Sequence, residues 1–321
     1  MRIVSLVPSA TEIIALLGAG HLLVARSHEC DYPEELSNLP VLTAASFRGG
    51  SAGEIDARVA AAVSQGQSLY LLDTQRLREL RPDLIVTQSL CSVCSIDLPS
   101  VEATARSLES PARVVTLNPA TFEDVLDDIT RIGAALNLQA RARETLIALR
   151  ERFFRASDHV NGFAARERVV FLEWTDPPYA AGHWTAQLIE RAGADHPLNP
   201  TTAMAGAGAG AGGQMAHRMA PPGRRVRPED ISAADPDAII VCPCGLSLRA
   251  VEAEAATLSN QSWWKGLRAV KNGRVALVDG NQMFNRPGPR LVDAYEFLVG
   301  WLNGADALIP PGFPWKPLAR G

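Results

Sequence analysis

The sequence predicts an α/β fold: two lobes with parallel sheets, joined by a long backbone helix. Three observations carry this. Strand-like and helix-like patterns alternate along the chain, the rhythm of parallel α/β units. Short apolar runs such as Asp83-Leu84-Ile85-Val86 and Ala238-Ile239-Ile240-Val241 read as buried parallel strands. The stretch after Asn137, to about Asp158, is rich in Arg, Ala and Leu and has no Pro or Gly, so it reads as a stiff helical connector.

The elements follow in order. Ile3 to Val7 is the first strand, and Pro8 stops it. Ser9 followed by Glu12 is a capping-box pattern opening a helix with Ile13, Leu16 and Leu17 on its apolar side, ended by Gly18 to Gly20. Leu22 to Ala25 is a second strand, and Leu69 to Leu72 a further short one. Asp73 suits the cap of the next helix, and Pro82 precedes the strand that leads to Cys91. Val114 to Leu117 is the last strand of this half. Phe122, Val125, Leu126, Ile129 and Ile132 recur at helical spacing. In the second half, Val169 to Leu172, Ala238 to Val241 and Val275 to Val278 read as strands. Trp184 to Ala192 and Arg290 to Asn303 read as helices. The expected organisation is an N-terminal lobe over 1–137, a backbone helix over 138–160, a C-terminal lobe over 161–303 and a tail over 304–321. Within the second lobe, 203–225 carries Gly-Ala repeats and reads as a low-complexity surface insertion.

Composition bounds the function. The chain has 321 residues, 47% hydrophobic and 21% charged, enough for two domains with buried cores. A net charge of −4 gives no basic stripe for nucleic acid. No apolar run reaches the roughly 18 residues of a membrane span. The opening apolar run is shorter than the roughly 7–15 residues of a secretory signal, so a cytoplasmic protein with reduced thiols is expected.

The five cysteines are the sharpest chemical signal. Cys91 and Cys94 form C-x-x-C, Cys242 and Cys244 form C-x-C, and both pairs directly follow a strand. Ligands of open α/β sheets bind beyond the carboxyl ends of strands. Four thiolates there would suit zinc or an iron–sulfur cluster. Thiol–disulfide chemistry and plain buried cysteines fit the same spacing. His28 and Cys30 share one loop, as a ligand or acid–base pair or as a loop-satisfied polar pair. Glu173 and His183 flank Asp176-Pro177-Pro178, where they could coordinate a metal, move a proton, or close a salt bridge or helix cap. Trp174 and Trp184 add aromatic surface beside them, for a flat ligand or for the core. Asn285, Arg286 and Arg290 lie in a proline-stiffened loop where an arginine fork could clamp an anionic or amide-rich ligand, or close a salt bridge. Trp263 and Trp264 read as packing. The Gly49-Gly50 region lacks the residues of a phosphate loop.

Ile3 to Gly18, as IVSLVPSATEIIALLG, closely resembles the opening of the cobalamin- and ferric-siderophore-binding proteins of ABC importers. Leu80 to Gln88, Asn118 to Leu138 with the following helix, Asp235 to Val241 and Trp264 to Val278 resemble the same superfamily. SHECDYP at 27–33, EWTDPPYAAGHW at 173–184 and FNRPGPRLVD at 284–293 resemble a cytoplasmic cobalamin-binding-like branch of it. The resemblance implies a helical-backbone fold with a ligand cleft between lobes, and a corrinoid or other metal-containing cofactor as ligand. The leading expectation is therefore a cytoplasmic binding protein for a cobalamin-like corrinoid with a cysteine-lined cleft. The alternative is an iron–sulfur or zinc protein with redox or enzymatic activity. The receptor of an ABC importer ranks third, and a permease is not expected as partner.

Overall fold

The computed structural model describes residues 1–47, 49–89, 98–203 and 218–319. Met1–Pro119 with Asp124–Ala148 form one compact unit, and Ala120–Glu123 with Leu149–Gly321 form another.

Unit 1 opens with β1 (Ile3–Ser5), α1 (Pro8–Leu16) and β2 (Leu23–Arg26). Then come β3 (Thr43–Ala45), α2 (Ala52–Ser64), β4 (Tyr70–Leu72), α3 (Thr74–Leu80), β5 (Leu84–Gln88), α4 (Leu98–Arg106) and β6 (Arg113–Leu117). Its main sheet has the order β2-β1-β5-β6 with every pairing parallel. Val4, Leu6, Ala25, Leu77, Ile85 and Val101 pack on one face, and Ile3, Leu84 and Val86 are buried on the other, so both faces are covered, as in most all-parallel sheets. The Leu69–Leu72 run does make a strand, but β4 pairs antiparallel with β3 outside the main sheet. Asp73 caps α3 as expected, its Oδ1 accepting from Arg76 N at 2.9 Å. The capping box at Ser9 and Glu12 does not form. Val7 is the N-cap, Pro8 takes the first helical position, and Ser9 and Glu12 are buried inside α1. Proline's fixed φ starts the helix two residues earlier than the Ser–Glu spacing implies. Leu16 is correspondingly exposed, and Ile14 takes its place in the core. A capping box does open α2, where Ser51 and Glu54 satisfy each other's backbone.

The helices α5 (Phe122–Ala135) and α6 (Gln139–Ser157) follow. Gly133 permits their close approach in unit 1, since a Cβ there would collide with the Ala142 side chain. The second half of α6 belongs to unit 2. Phe153 stacks on Tyr295 at 4.0 Å and on Phe122 at 4.8 Å, and the Arg191 guanidinium lies 5.5 Å from both phenyl rings. Gln187 Oε1 accepts from Phe122 N at 2.8 Å, which is why the first turn of α5 groups with unit 2.

Unit 2 continues with β7 (Val169–Thr175), β8 (Pro178–Ala180), α7 (His183–Arg191), β9 (Thr202–Ala203), β10 (Arg218–Met219), β11 (Arg224–Arg225) and α8 (Pro228–Ala234). After these come β12 (Ala238–Val241), α9 (Leu248–Ser259), α10 (Ser262–Gly266), α11 (Arg268–Lys271), β13 (Val275–Val278), α12 (Leu291–Asn303) and β14 (Trp315–Pro317). The sheet order is β11-β8-β7-β12-β13-β14. Only the central β7-β12-β13 pairings are parallel; β8, β11 and β14 run antiparallel at the edges. The segment expected as a tail supplies the β14 edge, and part of the expected insertion supplies β11. Trp264 is fully buried among Val241, Leu258 and Leu277, as packing. No helix among the described residues is long and apolar enough to cross a membrane.

One group in unit 1 opposes its surroundings. Asp128 on α5 is 1% exposed, pairs with Arg131 through one oxygen, and has its other oxygen buried without a partner among the described residues. Burial dominates the attraction of Arg131 and pushes its carboxyl up to about 7. A raised folded-state pKa means that the fold favours the protonated form. The contribution of Asp128 to stability is therefore fully present below the ordinary carboxylate range and is lost as pH rises to about 7. Asp128→Asn is expected to flatten this decline and to stabilise the protein at pH 7 and above by about 1–3 kcal/mol. Urea melts of both proteins across that pH range check it. A variant less stable than the parent at pH 8 would contradict the assignment.

Candidate functional site

In unit 2 the candidate site is the set of loops leaving the carboxyl ends of β7, β12 and β13. The parallel registers bring these ends side by side: Leu172 pairs with Val241, and Val241 with Leu277. Backbone bonds then lock the exits together. Cys242 N donates to Leu172 O at 2.9 Å and Cys244 N to Glu173 O at 3.0 Å. The Asn285 amide donates to Cys242 O at 3.1 Å and to Gly280 O at 2.9 Å, joining the β12 exit to the β13 exit. The Asp279 carboxylate accepts from Leu248 N, Asn281 N and Gln282 N at 2.9–3.1 Å, shaping the turn that follows β13.

The two cysteines of C-x-C are unlike each other. Cys242 is fully buried, and burial pushes its thiol well up, with Cys244 and Asp279 adding to the effect. Cys244 is exposed. Cys242 thus lies in the core and Cys244 at the surface, so the two thiols of the C-x-C pair face different surroundings. Among the described residues no group of three or more His, Cys, Asp or Glu could hold a metal ion. Cys91 and Cys94 lie outside the described residues.

Glu173, Trp174, His183 and Trp184 all flank the β7–β8 hairpin and the start of α7. Trp174 faces Tyr179 across the hairpin and donates through Nε1 to Asp176 O at 3.0 Å. The Glu173 carboxylate rests against the backbone of Gly223, in the turn Pro221-Pro222-Gly223. The same turn packs on Gly182, and its Pro221 O accepts from His183 N at 3.0 Å. His183 sits in the left-handed region at φ +48°, a conformation that costs energy for a residue with a Cβ. Its ring stacks on Trp184 at 5.4 Å, and its Nδ1 is buried without a hydrogen-bond partner among the described residues. Burial also lowers its basicity, so the neutral imidazole is favoured. Trp184 is nine-tenths buried and donates through Nε1 to Phe284 O at 2.6 Å, tying α7 to the loop of Asn285. In that loop Arg286 donates to Asn281 Oδ1 at 3.0 Å and Arg290 to Gln282 Oε1 at 3.2 Å. Both arginines stiffen the loop on amide partners.

His28 and Cys30 belong to unit 1, in the loop after β2. His28 N and Nδ1 both meet Thr43 Oγ1, at 2.9 and 2.6 Å, and the ring lies 5.5 Å from that of Tyr70. Cys30 is buried, its sulfur accepting from Thr11 Oγ1 at 3.0 Å. Tyr70 OH donates to Glu29 Oε1 at 2.9 Å. Within unit 1 these groups form a strand-end polar cluster.

Several residues that build the unit 2 site carry no motif. Asp279 and Gly280 form a turn signal directly after the β13 run. Asn199 and His196 give no such signal. The Asn199 amide bridges Ala181 O and Pro222 O at 3.0 and 3.1 Å, and buried His196 spans Val169 O and Ala181 O at 3.0 Å each.

Residues 3–281 match the family model described as "Periplasmic binding protein". The chain belongs to this family. No curated protein matches it. Solved structures share the fold. A periplasmic heme-binding protein from Pseudomonas aeruginosa is 21% identical with a TM-score of 0.66, the match covering 99% of this chain and 95% of that one. The periplasmic vitamin B12-binding protein BtuF of Vibrio cholerae is 20% identical with a TM-score of 0.59, covering 95% and 97%. A possible iron-binding, periplasmic solute-binding protein from Staphylococcus epidermidis is 20% identical with a TM-score of 0.65, covering 94% and 98%. The architecture is therefore that of helical-backbone substrate-binding proteins, as the sequence resemblance implied.

The tight turn gives a graded expectation. A Cβ on Gly182 would run into the backbone of Pro221 to Gly223, whereas one on Gly223 would meet the end of the Glu173 side chain. Gly182→Ala should cost about 1–3 kcal/mol, and Gly223→Ala less, because a carboxylate can swing aside and a backbone cannot. Thermal melts of the two variants check the order; equal losses would contradict the packing described.

Proposed function

We propose that this protein is a solute-binding receptor for a planar metal chelate, a corrinoid in the first place and haem as the nearest alternative. The carrying observation is that its family and fold are those of proteins named for vitamin B12, heme or iron. The segments Glu173 to Trp184 and Phe284 to Asp293, which resemble the cobalamin-binding-like branch, favour the corrinoid. In the structure they are the two loops joined by the Trp184–Phe284 hydrogen bond.

The geometry suits this reading. Trp174, Tyr179 and the His183 ring, backed by buried Trp184, give flat surface, and the neutral His183 imidazole gives one soft donor. A chelate brings its own metal with most coordination positions filled, so a single donor nitrogen suffices where a bare ion would need several.

The iron–sulfur or zinc alternative loses ground, because the similar solved proteins are named for vitamin B12, heme or iron. The importer-receptor reading moves ahead of it, and the expectation against a permease partner weakens with it. A solved relative from Listeria monocytogenes is itself described as an ABC transporter substrate-binding protein. Fractionation decides the partner. Recovery with cytoplasmic markers makes the chain a carrier inside the cell. Recovery with periplasmic markers makes a permease its partner.

Calorimetric titration with cyanocobalamin, cobinamide and haemin tests the ligand class. Saturable one-site binding of a corrinoid is expected, weakened about tenfold or more by Trp174→Ala, whose side chain is partly exposed. Binding of haemin alone would replace the corrinoid by haem, and binding of none of the three would end the reading.

A further inference from the structure

The outer face of α6 carries a pattern that neither its own fold nor chelate binding uses. Ala140, Ile147 and Phe154 recur every seven residues. Arg143 and Arg150 do the same, and so do Glu144, Glu151 and Asp158, the last lying just past the helix end. All eight are exposed; Ile147 keeps 53% and Phe154 63% of its surface. A seven-residue spacing drifts by only about 20° per repeat on an α-helix, so the three series form three adjacent stripes. The apolar stripe lies in the middle, with arginines on one flank and carboxylates on the other.

The helix does not need these residues for its own packing. Leu149, Phe153 and Ala156 face the core, and Arg152 is bound to Asp293 and Glu296. Glu144 meets Arg141 at 3.6 Å in an exposed pair. Arg143, Arg150, Glu151 and Asp158 have no ion-pair partner among the described residues. Alternating charge argues against a polyanion or an acidic lipid surface, which would repel the carboxylate stripe.

We propose that this face binds a second copy of the same chain, with the two α6 helices parallel about a two-fold axis. The charge order selects the direction. A two-fold axis along the helix lays the arginine flank of one copy on the carboxylate flank of the other, and the Ile147 and Phe154 stripes meet between them. An antiparallel pair would set arginine against arginine. The dimer is therefore salt-sensitive, and its apolar centre is small enough that it forms only at raised protein concentration.

The test is sedimentation velocity of the full chain over a wide concentration range, at low and high salt. A concentration-dependent dimer weakened by salt is expected. Phe154→Glu and Arg150→Glu should each raise the dissociation constant about tenfold or more, while circular dichroism stays unchanged because both side chains are exposed. The double variant R150E/E151R exchanges the flanks at that level and should recover dimerisation. A monomer at every concentration would overturn the proposal. So would a dimer indifferent to Phe154→Glu, or a single Arg150→Glu variant that dimerises more strongly than the parent.

Discussion

Unit 2 depends on how the backbone is satisfied where its parallel strands stop. A parallel ladder ends with N–H and C=O groups that have lost their neighbours, and burying them unpaired would cost roughly 1–3 kcal/mol each. Here side chains take them up. Asn285 holds the carbonyls of Cys242 and Gly280, Asp279 holds three amides, and Asn199 holds the carbonyls of Ala181 and Pro222. These bonds tie the loops after β7, β12 and β13 to one another. The strained backbone at His183 and at Phe284, φ +59°, is tolerated because its neighbours are fixed.

The same logic explains why chemistry gathers at one end of the sheet. Parallel strands point their carboxyl ends the same way, so segments distant in sequence meet there. Glu173, Cys244 and Asn285 are joined through adjacent strand exits although more than a hundred residues separate the first from the last. The aromatic stack of Phe122, Phe153 and Tyr295 under Arg191 secures the back of unit 2, linking α5, α6, α7 and α12. Its rings are interior, so they support the site without forming part of it.

Much of this was legible in the sequence, and the physical reason is clear. Runs such as Ala238–Val241 and Val275–Val278 are wholly apolar because both faces are covered, and they appear in the structure with the same limits. Helix spacing and the Asp73 cap were equally readable. Illegible were features that depend on distant partners. The β11 and β14 edges exist only because β8 and β13 offer them open sides. The Ser9–Glu12 pattern failed because Pro8 and the core claimed those positions first. His196 and Asn199 are ordinary polar residues until the fold sets carbonyls around them. The unequal fates of Cys242 and Cys244 follow from burial, which spacing does not encode.

The central claim is that this family member holds a metal chelate. The most direct measurement is the visible absorption spectrum of the native protein, purified without oxygen from its own cells. Structured corrin bands, or a sharp porphyrin band in the haem case, are the predicted result. A broad brown absorption that bleaches on reduction would place an iron–sulfur cluster on the thiols instead and contradict the account.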